Sequence, residues 1–516
     1  MEFSLTRQDR TDPLSNKEMH IYCKGANNKF TFIPMPGFKS KFFGIIVPFG
    51  SFMRHMPTTS EKILDLPAGT AHLLEHLIFS RDNSLKNYGA SDQCDPLEEL
   101  EKSGAELNAY TSHDHTLFYI QSVDNFYESA LNLLKTVLSF NTDAIRLENE
   151  RKVIMQEILL DLENPEEKVY NDIMHNLFSS HPIRDDIAGT KDTLDLIDEE
   201  IVNEAYHYYY SPERLNFVVV GDIDETLFLE QTLAVLYPTQ YIFNNEKDLL
   251  YFDNSNALGE EIEIDTLGQE LDAGAFSKFE NEQVLSSEFE DKNYGKVIAD
   301  NINNKLPQFI GALDYPICHI EEDRGSISKV IKVDSEEDFY CIAYRDSYFG
   351  QDRRIYGLDI ERRKLAAEVV LGILFGSSSK FYEQANREAL IDDSYFWQYV
   401  CYGDIAYFCL GSYTSDPELL SKSVKEVIEK SLMSDSISID DFNRRKKMII
   451  GNYIQEQDSI QELGFLMAGF NTKQMDGFHY SSLSRNLCMD DGVSILNDLF
   501  NESKCVEIIA ESSRND

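Results

Sequence analysis

The sequence predicts a duplicated α+β domain, and three observations carry that reading. Strand-like and helix-like segments alternate in the same order through both halves of the chain. The run Glu150-Arg151-Lys152-Val153-Ile154-Met155-Gln156-Glu157 has a counterpart in Arg445-Lys446-Lys447-Met448-Ile449-Ile450-Gly451-Asn452. Between the halves, residues 253–291 carry many carboxylates against a single Lys278, so little there can build a core. With 516 residues, two or more domains and a sizeable interior are expected. The expected division is 1–235 for an N-terminal domain, 236–327 for a linker holding the acidic insertion, and 328–516 for a C-terminal domain.

Taken in order, 29–49 reads as two short strands around Pro34-Met35-Pro36-Gly37, with 42–48 apolar enough for a central strand. A helix follows, with Thr70 at its N-cap and Leu73, Leu74, Leu77, Ile78 and Phe79 on its buried side. Segments 104–111 and 116–120 form a hairpin, 126–140 and 144–162 have helical periodicity, and 215–221 is a β-branched strand. In the second half, 339–344, 396–400 and 406–412 read as strands, and 363–375 and 417–432 as helices. The acidic stretch reads as a solvated linker, with a grip on basic peptides as the alternative.

Chemistry concentrates in His72-Leu73-Leu74-Glu75-His76. At this spacing both imidazoles leave one helix face a turn apart, so their nitrogens can converge on one metal ion with Glu75 beside them. The order is that of the inverted zinc-peptidase motif. Zinc in such a site polarises a carbonyl and lowers the pKa of water, while the neighbouring carboxylate takes the water's proton. The bland alternative is two helix histidines satisfied by backbone carbonyls. Burial of the helix argues against it, because two imidazoles on one buried face are costly unless something binds them. The second half has no such motif; a helix around Ala366-Ala367-Glu368-Val369-Val370 stands in its place.

Composition narrows the setting. A net charge of −43 and a pI near 4.5 argue against nucleic acid or an anionic membrane as partner. Eight cysteines without a CxxC spacing read as reduced thiols, residues 1–17 lack the apolar core of a signal peptide, and no run approaches a membrane span. A cytoplasmic location is expected.

The inverted motif, the downstream Glu150 and Glu157, and the duplicated domain together resemble the M16 metallopeptidase family of pitrilysin, insulin-degrading and mitochondrial processing peptidases. Half-size bacterial members fit the length. Further landmarks are 104–111, His181-Pro182-Ile183-Arg184, Ile187-Ala188-Gly189-Thr190 and Val220-Gly221-Asp222. The resemblance implies that each domain is a mainly antiparallel sheet with helices packed on one face. It implies one Zn2+ per chain held by His72, His76 and Glu157, with Glu75 as general base and Glu150 orienting the site. Substrate would lie as an added strand along Asn108, Ala109 and Tyr110, with Ala109 facing inward. His113 and His115, in the turn that follows, read as surface residues. Active members also carry an Arg and a Tyr seven residues apart in the second domain. Strict alignment puts Asn386 and Asp393 there, whereas Arg387 and Tyr395 lie eight apart nearby. The implied activity is zinc-dependent cleavage of small unfolded peptides in an enclosed chamber, serving peptide maturation or turnover. A related M16 subunit as heterodimer partner is expected, with a homodimer as runner-up. The alternative is a non-catalytic structural or peptide-binding subunit.

Overall fold

The computed structural model describes residues 5–24, 27–57, 63–80, 100, 102–140, 142–237, 325–349, 354–433, 437–473, 475, 477–500 and 504–513. The acidic stretch 253–291, with Cys94 and Cys318, lies outside them.

The first half contributes β1 (Thr6–Thr11), β2 (Glu18–Lys24), β3 (Asn27–Pro34), β4 (Lys41–Val47), a small ribbon of β5 (His55–Pro57) and β6 (Ile63–Asp65), β7 (Glu106–Thr111), β8 (Thr116–Ser122) and β9 (Asn216–Gly221). Its main sheet runs β1-β2-β3-β9-β4-β8-β7. Its principal helices are α1 (Thr70–Phe79), α2 (Phe126–Leu138), α3 (Ala144–Glu163), α4 (Pro165–Leu177), α5 (Glu199–Tyr209) and α6 (Glu225–Leu236). The second half supplies β10 (Ile327–Val333), β11 (Asp338–Arg345), β12 (Phe396–Cys401), β13 (Ala406–Thr414) and β14 (Cys505–Ser512), ordered β10-β14-β11-β13-β12. Its helices are α7 (Leu358–Phe375), α8 (Lys380–Arg387), α9 (Pro417–Ser431), α10 (Ile439–Glu456), α11 (Ile460–Thr472), α12 (His479–Asn486) and α13 (Met489–Phe500). The order of β10 to β14 reproduces that of β3, β9, β4, β8 and β7, strand for strand. In both sheets the first two of these pair parallel and the others antiparallel.

β4 is apolar at almost every position because both of its faces are covered. Phe43, Ile45 and Val47 point into the core built with α1 and α2, while Phe42 and Ile46 point into the other core. That second face is closed by α11 from the C-terminal half: Gly464 comes so near that a Cβ there would lie 2.5 Å from the Phe42 ring. Phe465 meets the same ring edge-on at 5.7 Å. The exchange is mutual. α4, from the N-terminal half, packs Val169 and Ile173 against Cys341, Ala343, Cys409 and Ile508 of the second sheet, and the Tyr170 hydroxyl reaches that of Tyr407 at 2.5 Å. Each half therefore keeps its own helices mainly on one face and receives a helix of the other half on the opposite one.

Six strands escaped the sequence reading, the ribbon strands β5 and β6 among them. β1, Thr-Arg-Gln-Asp-Arg-Thr, has no apolar residue because it is the outermost strand and almost wholly exposed. β2 pairs with its sequence neighbours β1 and β3, whereas β10 and β14 are positioned by partners far along the chain. α7 and α8 together, Leu358–Arg387, are long and apolar enough to cross a bilayer by length and composition, but Leu365, Ala366, Ala367, Val369, Val370 and Leu371 are buried in the domain core.

Because each core contains residues of both halves, the two are expected to unfold in a single transition. Phe42→Ala should cost about 3–5 kcal/mol and move that whole transition downward in calorimetry. A variant in which one half melts separately would contradict the shared cores.

Candidate metal centre

The first turn of α1 is set by a contact between two backbones. Gly69 sits at φ 92°, and a Cβ there would come within 2.5 Å of the Ala188 carbonyl oxygen; Gly189, at φ 80°, approaches the Ala68 carbonyl in the same way at 2.6 Å. The helix N-cap is therefore Gly69 rather than Thr70, whose hydroxyl instead donates to the Pro67 carbonyl at 2.7 Å. The stretch 187–190, far away in sequence, thus fixes where the histidine helix begins.

Leu73, Leu74, Leu77 and Ile78 anchor α1 in the core, leaving His72 and His76 on the face toward α3. Their rings meet edge-on at 4.6 Å. α3 starts at Asp143, whose side chain accepts the Arg146 N–H. Arg146 also clamps the end of α1, donating to Ser80 Oγ at 2.8 Å and the Ser80 carbonyl at 2.6 Å. This cross-tie brings both glutamates of α3 to the imidazoles. Glu157 Oε2 stands 3.8 Å from His72 Nε2 and 3.6 Å from His76 Nε2, and Glu150 Oε2 lies 3.7 Å from His76 Nδ1. One ligand atom each from His72, His76 and Glu157 falls within 4.8 Å of the others. The histidine side chains are 13% and 24% exposed and that of Glu157 46%, so the triad opens to solvent on the glutamate side.

Burial, with the His76 charge adding, pulls His72 down to about 4, so it is neutral and able to ligate at neutral pH. Burial also disfavours charge on His76, but the Glu150 carboxylate, then Glu75 and Glu157, outweigh it and raise its pKa. Burial raises Glu157 against the pull of His76, with Asp161 and Asp186 adding to the rise. His72 Nδ1 is buried and has no hydrogen-bond partner. Two imidazoles and one carboxylate, with His72 Nε2, His76 Nε2 and Glu157 Oε2 turned toward one another, fit a divalent transition ion such as zinc.

Glu75 lies beside this triad. Burial raises its pKa, opposed by a hydrogen bond from Thr111 Oγ1 to Glu75 Oε2 at 2.5 Å. Thr111 had no role in the sequence reading; its position at the end of 104–111 was the only signal. It ends β7, the edge strand of the sheet, which among the described residues pairs only with β8 and has no strand on its other edge. On β7 Asn108 is exposed, Ala109 packs against the core, and Tyr110 leans on Phe465 of the other half at 6.2 Å.

Two expectations are corrected. His113 is half-buried, bonded to Ser51 Oγ at 2.7 Å and stacked on Phe52 at 4.8 Å. His115 is buried against Asp114 at 2.7 Å. Their turn folds inward because Gly50 lets it approach: a Cβ there would lie 2.6 Å from the His113 carbonyl. Arg387 and Tyr395 each have a partner within this chain. Arg387 pairs with Glu383 at 2.6 Å on an exposed helix face, and the Tyr395 hydroxyl donates to the Phe375 carbonyl at 2.7 Å.

Residues 65–191 match the family described as Insulinase (Peptidase family M16). The chain carries a domain of that family. It is 21% identical over 471 residues to the uncharacterized zinc protease YmfH of Bacillus subtilis (strain 168), covering 90% of each. Its fold is similar to that of a protease from Helicobacter pylori, with a TM-score of 0.66 at 15% identity over 99% of this chain and 100% of that one. It is also similar to a peptidase M16 inactive domain from Pseudomonas fluorescens, with a TM-score of 0.59 at 13% identity over 98% of each.

Burial lowers the His113 pKa from 6.5 to about 4. Between these values the unfolded chain holds a proton that the folded one refuses, so stability falls as pH drops through that window. The loss is roughly 3 kcal/mol, at 1.36 kcal/mol per pKa unit. Urea unfolding at pH 7 and pH 4 should show that much less pH dependence in His113→Gln than in the wild type; equal slopes would mean His113 titrates normally.

Proposed function

We propose that this chain is a zinc-dependent endopeptidase acting on small unfolded peptides. The observation that carries the reading is the convergence of His72, His76 and Glu157 within 4.8 Å, with the Glu75 carboxylate next to them. Those three residues would hold the metal. Bound there, zinc supplies a Lewis acid for the scissile carbonyl and acidifies water. Glu75, raised by burial, is the proton acceptor for the attacking water and can return that proton to the leaving amine nitrogen. The Thr111 hydroxyl holds one Glu75 oxygen, which aims the carboxylate and ties it to β7. Glu150 steadies His76 from the other ring nitrogen, a positioning role. The open edge of β7 can receive a substrate as an added strand, so backbone bonds supply affinity with little sequence demand, and Asn108 and Tyr110 are exposed to contact it.

Amide hydrolysis also needs donors for the developing oxyanion. Arg387 and Tyr395 are engaged elsewhere in this chain, which supports a related M16 subunit that completes the site in trans over a homodimer. Turnover or maturation of peptides suits an enclosed chamber between two such subunits. The free thiols support a reducing, cytoplasmic setting. The second reading, a non-catalytic subunit, draws on the same engaged Arg387 and Tyr395.

Glu75→Gln should retain about one zinc per chain by metal analysis while peptide cleavage falls roughly 10²–10⁴-fold. Glu157→Ala should lose both. Wild-type protein without zinc, or Glu75→Gln cleaving at the wild-type rate, would sink the assignment. Weak cleavage by the chain alone, rescued by an M16 subunit bearing an Arg/Tyr pair, is expected for the heterodimer. Full activity of the lone chain that collapses in Tyr395→Phe would favour the homodimer.

A further inference from the structure

The duplication can be read residue by residue at the second domain's counterpart of the metal site. The N-caps Asp143 and Ser438 correspond, as do the buried Leu147, Ile154 and Ile158 of α3 and Phe442, Ile449 and Tyr453 of α10. The C-caps Ser80 and Gly376 align α1 with α7. His72, His76, Glu150 and Glu157 then correspond to Glu368, Gly372, Arg445 and Asn452. The hairpins close on Thr111–Thr116 and Cys401–Ala406, so Asn108 corresponds to Gln398. Metal chemistry is gone, yet the cleft persists: about 290 Å3, lined by Glu368, Trp397, Gln398, Arg445, Asn452 and Glu456 among others.

What replaced the metal residues is a guanidinium with no carboxylate in direct contact, the Glu368 carboxylate acting on it only at longer range. The Arg445 guanidinium lies where the second histidine would project, and a Cβ on Gly372 would collide with it. Its Nε reaches only the Glu368 carbonyl at 3.4 Å, its Nη1 only Met448 Sδ at 3.3 Å, and its Cζ stands 5.8 Å from the Trp397 ring. Among the described residues it makes no direct ion pair with a carboxylate, although acidic groups outnumber basic ones by 90 to 47 in this chain. The nearby Glu368 carboxylate faces Lys364 instead, at 3.9 Å. A partly buried guanidinium with free N–H donors is a fork for a carboxylate. The cleft runs beside β12, an edge strand with one open side like β7.

We propose that this second cleft is a carboxylate-binding subsite, in which Arg445 receives a carboxylate of an extended peptide lying along β12. Trp397 forms the wall against which the peptide packs. The peptide nature of the ligand rests on the peptidase reading above, but the subsite itself is read by binding and not by cleavage.

Trp397 is the chain's one tryptophan, so intrinsic fluorescence reports this cleft directly. Full-length Glu75→Gln protein, which should not consume its ligand, is titrated with an unstructured peptide that has internal acidic residues and a free C-terminus. Two companion peptides carry either a C-terminal amide or Asn and Gln in place of the acids, and they separate the two sources of carboxylate. A saturable change is expected, weakened about tenfold by one of these peptide changes. Arg445→Gln should produce the same loss, with no further loss when both are combined, and Arg445→Lys should be intermediate. Equal binding of all three peptides would overturn the proposal. So would an Arg445→Gln effect of the same size on peptides with and without the carboxylate, since that would mark a structural role. Absence of cleavage by the wild type would sink the peptidase reading and leave the binding result standing.

Discussion

Neither sheet can bury both of its apolar faces with the helices of its own half. This constraint organises the molecule. A strand such as Lys41–Val47 has no polar side after its first residue, so each face must be dried by something, and among the described residues the second face is covered by a helix of the other half. The resulting exchange of Pro165–Leu177 and Ile460–Thr472 makes two hydrophobic cores, each with contributors from both halves. Side chains that look like ordinary domain interior are in fact the joint between domains.

The metal helix inherits its placement from this frame. Its start is held by backbone contact at Gly69 and Gly189, and its end by Arg146 reaching across from α3. Pinned at both ends, it keeps two imidazoles in a poorly solvated setting that favours their neutral, ligating form at His72, while the carboxylates around His76 pull the other way. An ion would resolve that conflict: it binds the ring nitrogens turned toward Glu157 and neutralises the acids at once. The same shell that makes the site uncomfortable when viewed as bare protein is what makes it suited to a cation.

How much of this was legible in the sequence depends on range. The histidine pair and Glu150 and Glu157 were readable because each pair lies on one helix, where spacing fixes direction. That the two helices meet required the family resemblance, since nothing in either segment encodes Arg146 seeking Ser80. The hairpin at 104–120 and the central strands were readable from local pattern. β1 was not, lacking any apolar residue, and neither was β14, which joins β10 and β11 from the far end of the chain. The burial of His113 and His115 was hidden because a turn has no period, and only Gly50, some sixty residues earlier, lets it fold inward. Thr111 was visible as a strand end but not as the group that holds Glu75.

Asn164 is at once the C-cap of α3 and the N-cap of α4. The helix that carries Glu157 therefore continues, without a linker, into the helix embedded under the other half's sheet. Duplicated domains are commonly free to be lost, shuffled or exchanged by recombination once one copy has lost its chemistry. Here such an excision would expose the underside of the surviving sheet and release the glutamate's own support. Inheritance of the two halves is thus indivisible: the second copy was at liberty to lose its histidines, but never its scaffold.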